Sequence, residues 1–113
     1  MLDDIASATL QVAIAGLGQR QQVTSNNIAN SETPRFRASQ VQFEASLADA
    51  VRAGDPARVA ISQTATADQP SANGNNVSLD REFVTATTTT LQEQLLTQAL
   101  TAKFGQLDTV LKG

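Results

Sequence analysis

The sequence predicts an all-α chain: long N- and C-terminal helices paired as an antiparallel, coiled-coil-like hairpin, with a short middle helix and an irregular, partly extended linker. Three observations carry this. Apolar residues recur at helical spacing over residues 2–30 and again over 78–111, Pro34 stops the first pattern, and residues 62–76 are too polar to build a core. The boundaries that follow are 1–32 for the first helical segment, 33–77 for junction, short helix and flexible linker, and 78–113 for the last helix.

In the first segment Leu10, Ile14, Leu17, Thr24 and Ile28 follow a 4-3 alternation, with Gln21 as the polar intruder, the spacing of a coiled-coil seam. At 1.5 Å per residue this helix spans about 40–45 Å. Asp3 and Asp4 fall in its first turn, where the helix dipole favours acids. Gly16 and Gly18 each cost about 1 kcal/mol relative to Ala, so they mark either close approach by a neighbour or a weak point. Because proline disfavours helical backbone in the residue before it, Thr33 is expected to be extended and the helix to end by about Asn30, a residue that tolerates the left-handed conformation of a C-cap.

Over residues 39–52, Phe43, Leu47, Ala50 and Val51 repeat at helical spacing, and Gly54-Asp55-Pro56 closes that short helix. Val59 and Ile61 suggest one brief strand, which has little stability alone. Residues 62–76 read as loop or disorder, with Asn73-Gly74-Asn75-Asn76 as a turn signal. Asn76-Val77-Ser78 matches the N-glycosylation pattern, but its expected use is in the turn and helix start.

Ser78 is a suitable N-cap for the last helix, with Asp80 and Glu82 in the first turn. At 100° per residue, Leu79, Phe83, Ala86, Leu100, Phe104, Leu107 and Leu111 share one sector of roughly 120°. That sector is expected to face the first helix. Val84, Leu91, Leu95 and Ala99 lie on nearly the opposite side and ask for a second neighbour. Thr85, Thr87, Thr88, Thr89 and Thr90 together handicap the helix by about 3 kcal/mol, so it should be marginal in isolation.

Composition removes several function classes. With no Cys and no His, thiolate and imidazole catalysis and zinc sites built on those ligands are excluded. Net charge is −3 with the signs interspersed, which offers neither a nucleic-acid footprint nor a polybasic lipid patch. The carboxylates are dispersed and no phosphate-cradling glycine loop occurs, so no enzyme, metal or cofactor is expected. No basic residue precedes Arg20, so no cleaved secretory signal is expected, and the apolar run over 5–17 is too short to span a bilayer.

The stretch Asn26-Asn27-Ile28-Ala29-Asn30-Ser31-Glu32-Thr33-Pro34-Arg35-Phe36, ending a long N-terminal helix, resembles the signature of the bacterial flagellar rod and hook proteins. Phe43-Glu44-Ala45-Ser46-Leu47, Asn73-Gly74-Asn75-Asn76-Val77-Ser78-Leu79-Asp80-Arg81-Glu82 and the segment 91–104 are similar to the proximal rod member of that family, in order over nearly the whole chain. Arg35 stands where the family usually has Gly, and Glu93 where a Tyr usually precedes Gln94. The Thr run and the short middle are also unusual.

The resemblance implies a structural rod subunit that polymerises through its terminal helices into the drive shaft transmitting motor torque. Its implied partners are itself, other rod proteins, ring and adaptor proteins at the rod base, and the flagellar type III export apparatus. Its implied place is the basal-body rod crossing the periplasm, reached without signal cleavage. Assembly residues expected on this basis are Leu10, Ile14, Leu17, Ile28, Leu95, Leu100, Phe104, Leu107 and Leu111, with Asn27, Asn30, Thr33, Pro34 and Phe36 at the junction. The alternative is a soluble helical adaptor or export chaperone that folds alone and binds a single partner.

Overall fold

A computed structural model describes residues 4–112, apart from the side chains of 107, 108 and 110–112. Two long helices, α1 (Ile5–Ala29) and α3 (Leu79–Lys112), run antiparallel. Lys103 of α3 pairs with Asp4 before α1 at 2.8 Å, and Gln21 Nε2 in the middle of α1 donates to Thr90 Oγ1 at 2.7 Å. Between them lie β1 (Ser39–Gln42), α2 (Glu44–Arg52), a 3₁₀ turn (Pro56–Arg58) and β2 (Ser62–Ala65).

Each helix end has a local cause. Asp4 is the N-cap of α1 and not part of its first turn, its Oδ1 accepting the Ser7 N–H at 2.8 Å; Asp3 lies outside the described residues. Asn30 closes α1, but at φ −103° it is not left-handed. It caps by its side chain, Nδ2 donating to the Asn26 carbonyl at 2.9 Å and Oδ1 accepting from Thr33 Oγ1 at 3.1 Å. Gly54, at φ 71°, ends α2 as its sequence promised, and Pro56 opens the 3₁₀ turn. Ser78 Oγ accepts the Arg81 N–H at 3.4 Å and starts α3.

The chain is mostly helical, yet the all-α expectation needs correcting: β1 and β2 form a two-stranded antiparallel sheet, Ser39 opposite Ala65 and Gln42 opposite Ser62. Residues 39–42 are strand and not the start of the middle helix, because Val41 is buried between exposed Gln40 and Gln42, a period of two. The brief strand expected at Val59 and Ile61 is displaced to 62–65; those two apolar side chains pack on the core instead. All four residues of β2 are exposed, which is why this part of the polar 62–76 stretch gave no strand signal.

The core is small: Ala13, Leu17, Val41 and Phe43, with Leu47, Val59, Ile61 and Leu96 against it. Gly16 is there for close approach. A Cβ on it would stand 2.7 Å from the Phe43 ring, whereas one on Gly18 would meet nothing within 4 Å. The face that α3 turns to α1 also differs from expectation. Its covered positions are Glu82, Thr85, Ala86, Thr89, Glu93, Leu96, Leu100 and Lys103, while Leu79, Phe83 and Phe104 of the predicted sector stay exposed. The reason lies on α1, whose facing residues near that end are Gln21, buried Thr24 and buried Asn27, polar partners that match the threonines and Glu82.

Candidate assembly surface

Asn27 organises the junction. It is 1% exposed, and its side-chain amide acts as a strand segment would: Nδ2 donates to the Ser39 carbonyl at 2.8 Å and Oδ1 accepts the Ser39 N–H at 3.2 Å. One helix turn pair earlier, Arg20 donates to the Val41 carbonyl at 2.7 Å. The edge of β1 away from β2 is therefore satisfied by side chains of α1, which keeps these part-buried backbone groups paired. Arg20 also grips Glu44 with both amines, at 2.6 and 2.8 Å, and lies 5.0 Å from the Phe43 ring centroid.

Two asparagines from the linker complete a knot with the junction. Asn75 Nδ2 donates to the carbonyls of Asn30 and Thr33, both at 2.8 Å. Asn76 Oδ1 accepts the Ala38 N–H at 2.6 Å, and its backbone N–H donates to Phe36. Both are buried, so the glycosylation-like Asn76 serves the turn, as its sequence context implied. Arg35 adopts φ 62°, the left-handed conformation that glycine prefers, so the backbone keeps a glycine-type turn although the residue is Arg. Its Cα lies 3.2 Å from where a Cβ on Gly74 would stand.

Charge follows these contacts. The hydrogen bonds from Arg20 hold the Glu44 carboxyl down at about 2, and the bond from Lys103, with the Ser7 N–H, holds Asp4 at about 2. Glu82 moves the other way. Burial at 6% exposure raises its carboxyl, with the Asn27 amide and Arg81 opposing that shift and Asp68 reinforcing it.

The expected assembly residues separate into three groups. Leu17 is buried in this chain's own core, and Leu10, Ile14, Ile28 and Leu100 are half-buried along the α1 and α3 pairing. Leu95 at 65% and Phe104 at 38% are exposed, whereas the Leu107 and Leu111 side chains lie outside the described residues. At the junction Asn27 is buried, Asn30 and Phe36 are half-buried, and Thr33 and Pro34 are exposed. Bare positions missing from the expected set are Ile5, Val51, Leu79, Phe83, Val84 and Leu91; Val84 and Leu91 belonged to the opposite apolar face seen in the sequence, and exposure of that face could have promoted them. Val84, Leu91 and Leu95 form one exposed stripe on α3, with Leu95 at its edge beside α1. Beside it, a cleft of about 300 Å³ between α1, α2 and α3 is lined by Ala13, Leu17, Phe43, Leu47, Leu95 and Leu96.

Residues 9–37, most of α1 and the junction after it, match the family described as "Flagella basal body rod protein". The flagellar basal body rod protein FlgB of Escherichia coli K12 is 32% identical over 135 aligned positions, covering 99% of this chain and 98% of that protein. The chain belongs to the flagellar basal-body rod protein family. The FlgB of Bacillus subtilis 168 is 33% identical, covering 92% of this chain and 91% of its own length. Rod family proteins are structural and not enzymatic, so the buried Glu82 and the Arg20 and Glu44 pair are read as fold-holding groups. Among the described residues no helix is long and apolar enough to cross a membrane.

Proposed function

We propose that this rod-family protein is a subunit of the proximal rod, polymerising through its terminal helices into the shaft that transmits motor torque for motility. The observation that carries the reading is the stripe Val84, Leu91 and Leu95, each more than 60% exposed on a helix already paired along another side. Large apolar side chains in a row on a surface mark a contact site. The stripe runs through Leu95 into the cleft beside Leu47, so the contact surface is one continuous apolar band along α3 and its flank.

On this reading segments 1–32 and 78–113 form the coiled-coil-like rod core and 33–77 the linker between them. Leu95, Phe104, Leu107 and Leu111 meet neighbouring subunits, Leu10, Ile14, Leu17, Ile28 and Leu100 hold the hairpin that presents them, and Thr33, Pro34 and Phe36 shape the junction's outer face. Its partners are itself, other rod proteins, and ring and adaptor proteins at the rod base. It reaches the periplasmic rod through the flagellar type III apparatus without signal cleavage.

The test is Leu91→Asp with Leu95→Asp in a complemented deletion strain. Swarming is expected to be lost while the purified variant keeps the wild-type circular dichroism spectrum, because both side chains lie outside the core. Wild-type swarming by that variant would sink the proposal.

A further inference from the structure

The knot contains the chain's one Asn-Gly step, Asn73-Gly74. With no side chain on Gly74, its backbone nitrogen is sterically free to attack Cγ of Asn73. The C–N bond so formed closes a succinimide, the Cγ–Nδ2 bond breaks, and Nδ2 leaves as ammonia carrying the amide proton. Water then opens the ring to aspartate or isoaspartate, with no oxidant or reductant required.

The folded backbone opposes that closure. Gly74 N–H donates to the Ser71 carbonyl at 2.9 Å, which makes residues 71–74 a hydrogen-bonded β-turn. Arg35 is the one non-glycine residue with positive φ among those described, so neither Ala72 nor Asn73 has it, and of the hydrogen-bonded types only type I remains. In that turn ψ of the third residue, here Asn73, is about 0°, and ring closure needs it rotated far from there. The carboxamide is held as well, Oδ1 accepting from Ser71 Oγ at 2.7 Å and from Asn75 N–H at 3.0 Å. Arg35 N–H donates to the Asn73 carbonyl at 2.9 Å, and Ser71 N–H to the Asn75 carbonyl at 2.7 Å. Asn73 is itself exposed, so the turn and not burial is what shields it.

We propose that Asn73 is a modification site governed by the knot: closed, it keeps its asparagine; opened, it converts to isoaspartate. The conversion is one-way. Isoaspartate inserts a main-chain carbon between position 73 and Gly74 and replaces an amide with a carboxylate. The added carbon lengthens the turn that the Gly74 N–H closes on the Ser71 carbonyl, and it moves the position-73 carbonyl bonded by Arg35 N–H and the Oδ1 that accepts the Asn75 N–H. A chain modified while open loses the geometry of those ties between residue 73, Arg35 and Asn75.

The full chain is incubated at mildly alkaline pH, folded in buffer and unfolded in urea, and isoaspartate at position 73 is quantified by enzymatic methylation and peptide mass mapping. The folded chain is expected to convert at least about tenfold more slowly, since local opening must come first. Asn75→Ala, which removes the ties to Asn30 and Thr33, is expected to bring the native-buffer rate towards the unfolded one. Should that variant fail to fold, a urea series on the wild-type chain replaces it, the rate rising in step with the unfolded fraction. A folded rate equal to or above the unfolded one, a folded Asn75→Ala with no acceleration, or a rate indifferent to unfolding would overturn the proposal.

Discussion

Arg35 shows how a single residue can hold a conformation unsuited to it. At φ 62° an L side chain costs about 1–2 kcal/mol, partly offset in any comparison with glycine by the greater chain entropy that glycine loses on folding. Arg35→Gly is therefore expected to stabilise the chain by about 0.5–1 kcal/mol, measured by urea denaturation. Destabilisation would mean that the packing of the Arg35 side chain outweighs the strain. Glu82 gives the residue-scale pH dependence. Its folded carboxyl is raised by burial, so the folded state holds that proton more tightly and the site's contribution to stability is lost as pH rises through the raised value. Asp4 and Glu44 have the opposite sign: lowered to about 2, their contributions are present above the ordinary carboxylate range and are lost as pH falls towards 2. Glu82→Gln should stabilise the protein at neutral pH and lose that advantage in acid, as denaturation at two pH values would show; a pH-independent effect would refute the assignment.

Among the elements, the sheet depends on a helix side chain. Two strands alone are marginal, and β1 gains its outer pairing from Asn27 and Arg20. Asn27→Ala is expected to cost about 2–3 kcal/mol, because it strips two hydrogen bonds from part-buried backbone and empties a buried site, and to speed hydrogen exchange at the Ser39 amide ahead of α1. Unchanged exchange there would show that β2 alone holds the strand. The same elements show what the sequence could reveal. Both long helices, the Ser78 start of α3 and the Gly54 stop were readable, because periodicity and capping are local, whereas Asp4 was read into the first turn of α1 and Asn30 as left-handed. Asn27, Asn75 and Asn76 act on partners from 8 to 45 positions away, which no spacing rule registers. The pairing face of α3 was misjudged for a different reason. The most apolar sector was taken as the one turned inward, whereas here the covered face carries Thr89 and Glu82 and much of the apolar surface faces out. The junction residues were chosen through a resemblance, whereas Phe83, Val84 and Leu91 needed exposure to be singled out.

The whole molecule is a plank of 64 × 25 × 14 Å, with a radius of gyration of 17.5 Å. A compact chain of this length would have about 13 Å. Such a shape leaves too little interior for α3 to be held firmly along its length, and beyond Leu96 its described positions are mostly exposed. Hydrogen exchange on the dilute monomer is expected to be fast over 97–106 and slow around Leu17, Thr24 and Asn27, with protection spreading along α3 on assembly. Uniform protection of α3 in the monomer would instead favour a self-sufficient adaptor.

Gly16 and Phe43 add a mechanical consequence. The ring sits where a Cβ of the helix would otherwise project, like a pawl lodged between gear teeth. Any roll of α1 about its own axis must push that ring, and with it Glu44 and the start of α2, whose carboxylate is bolted back to α1 by Arg20. Rotation of α1 is thereby coupled to Phe43 and the start of α2.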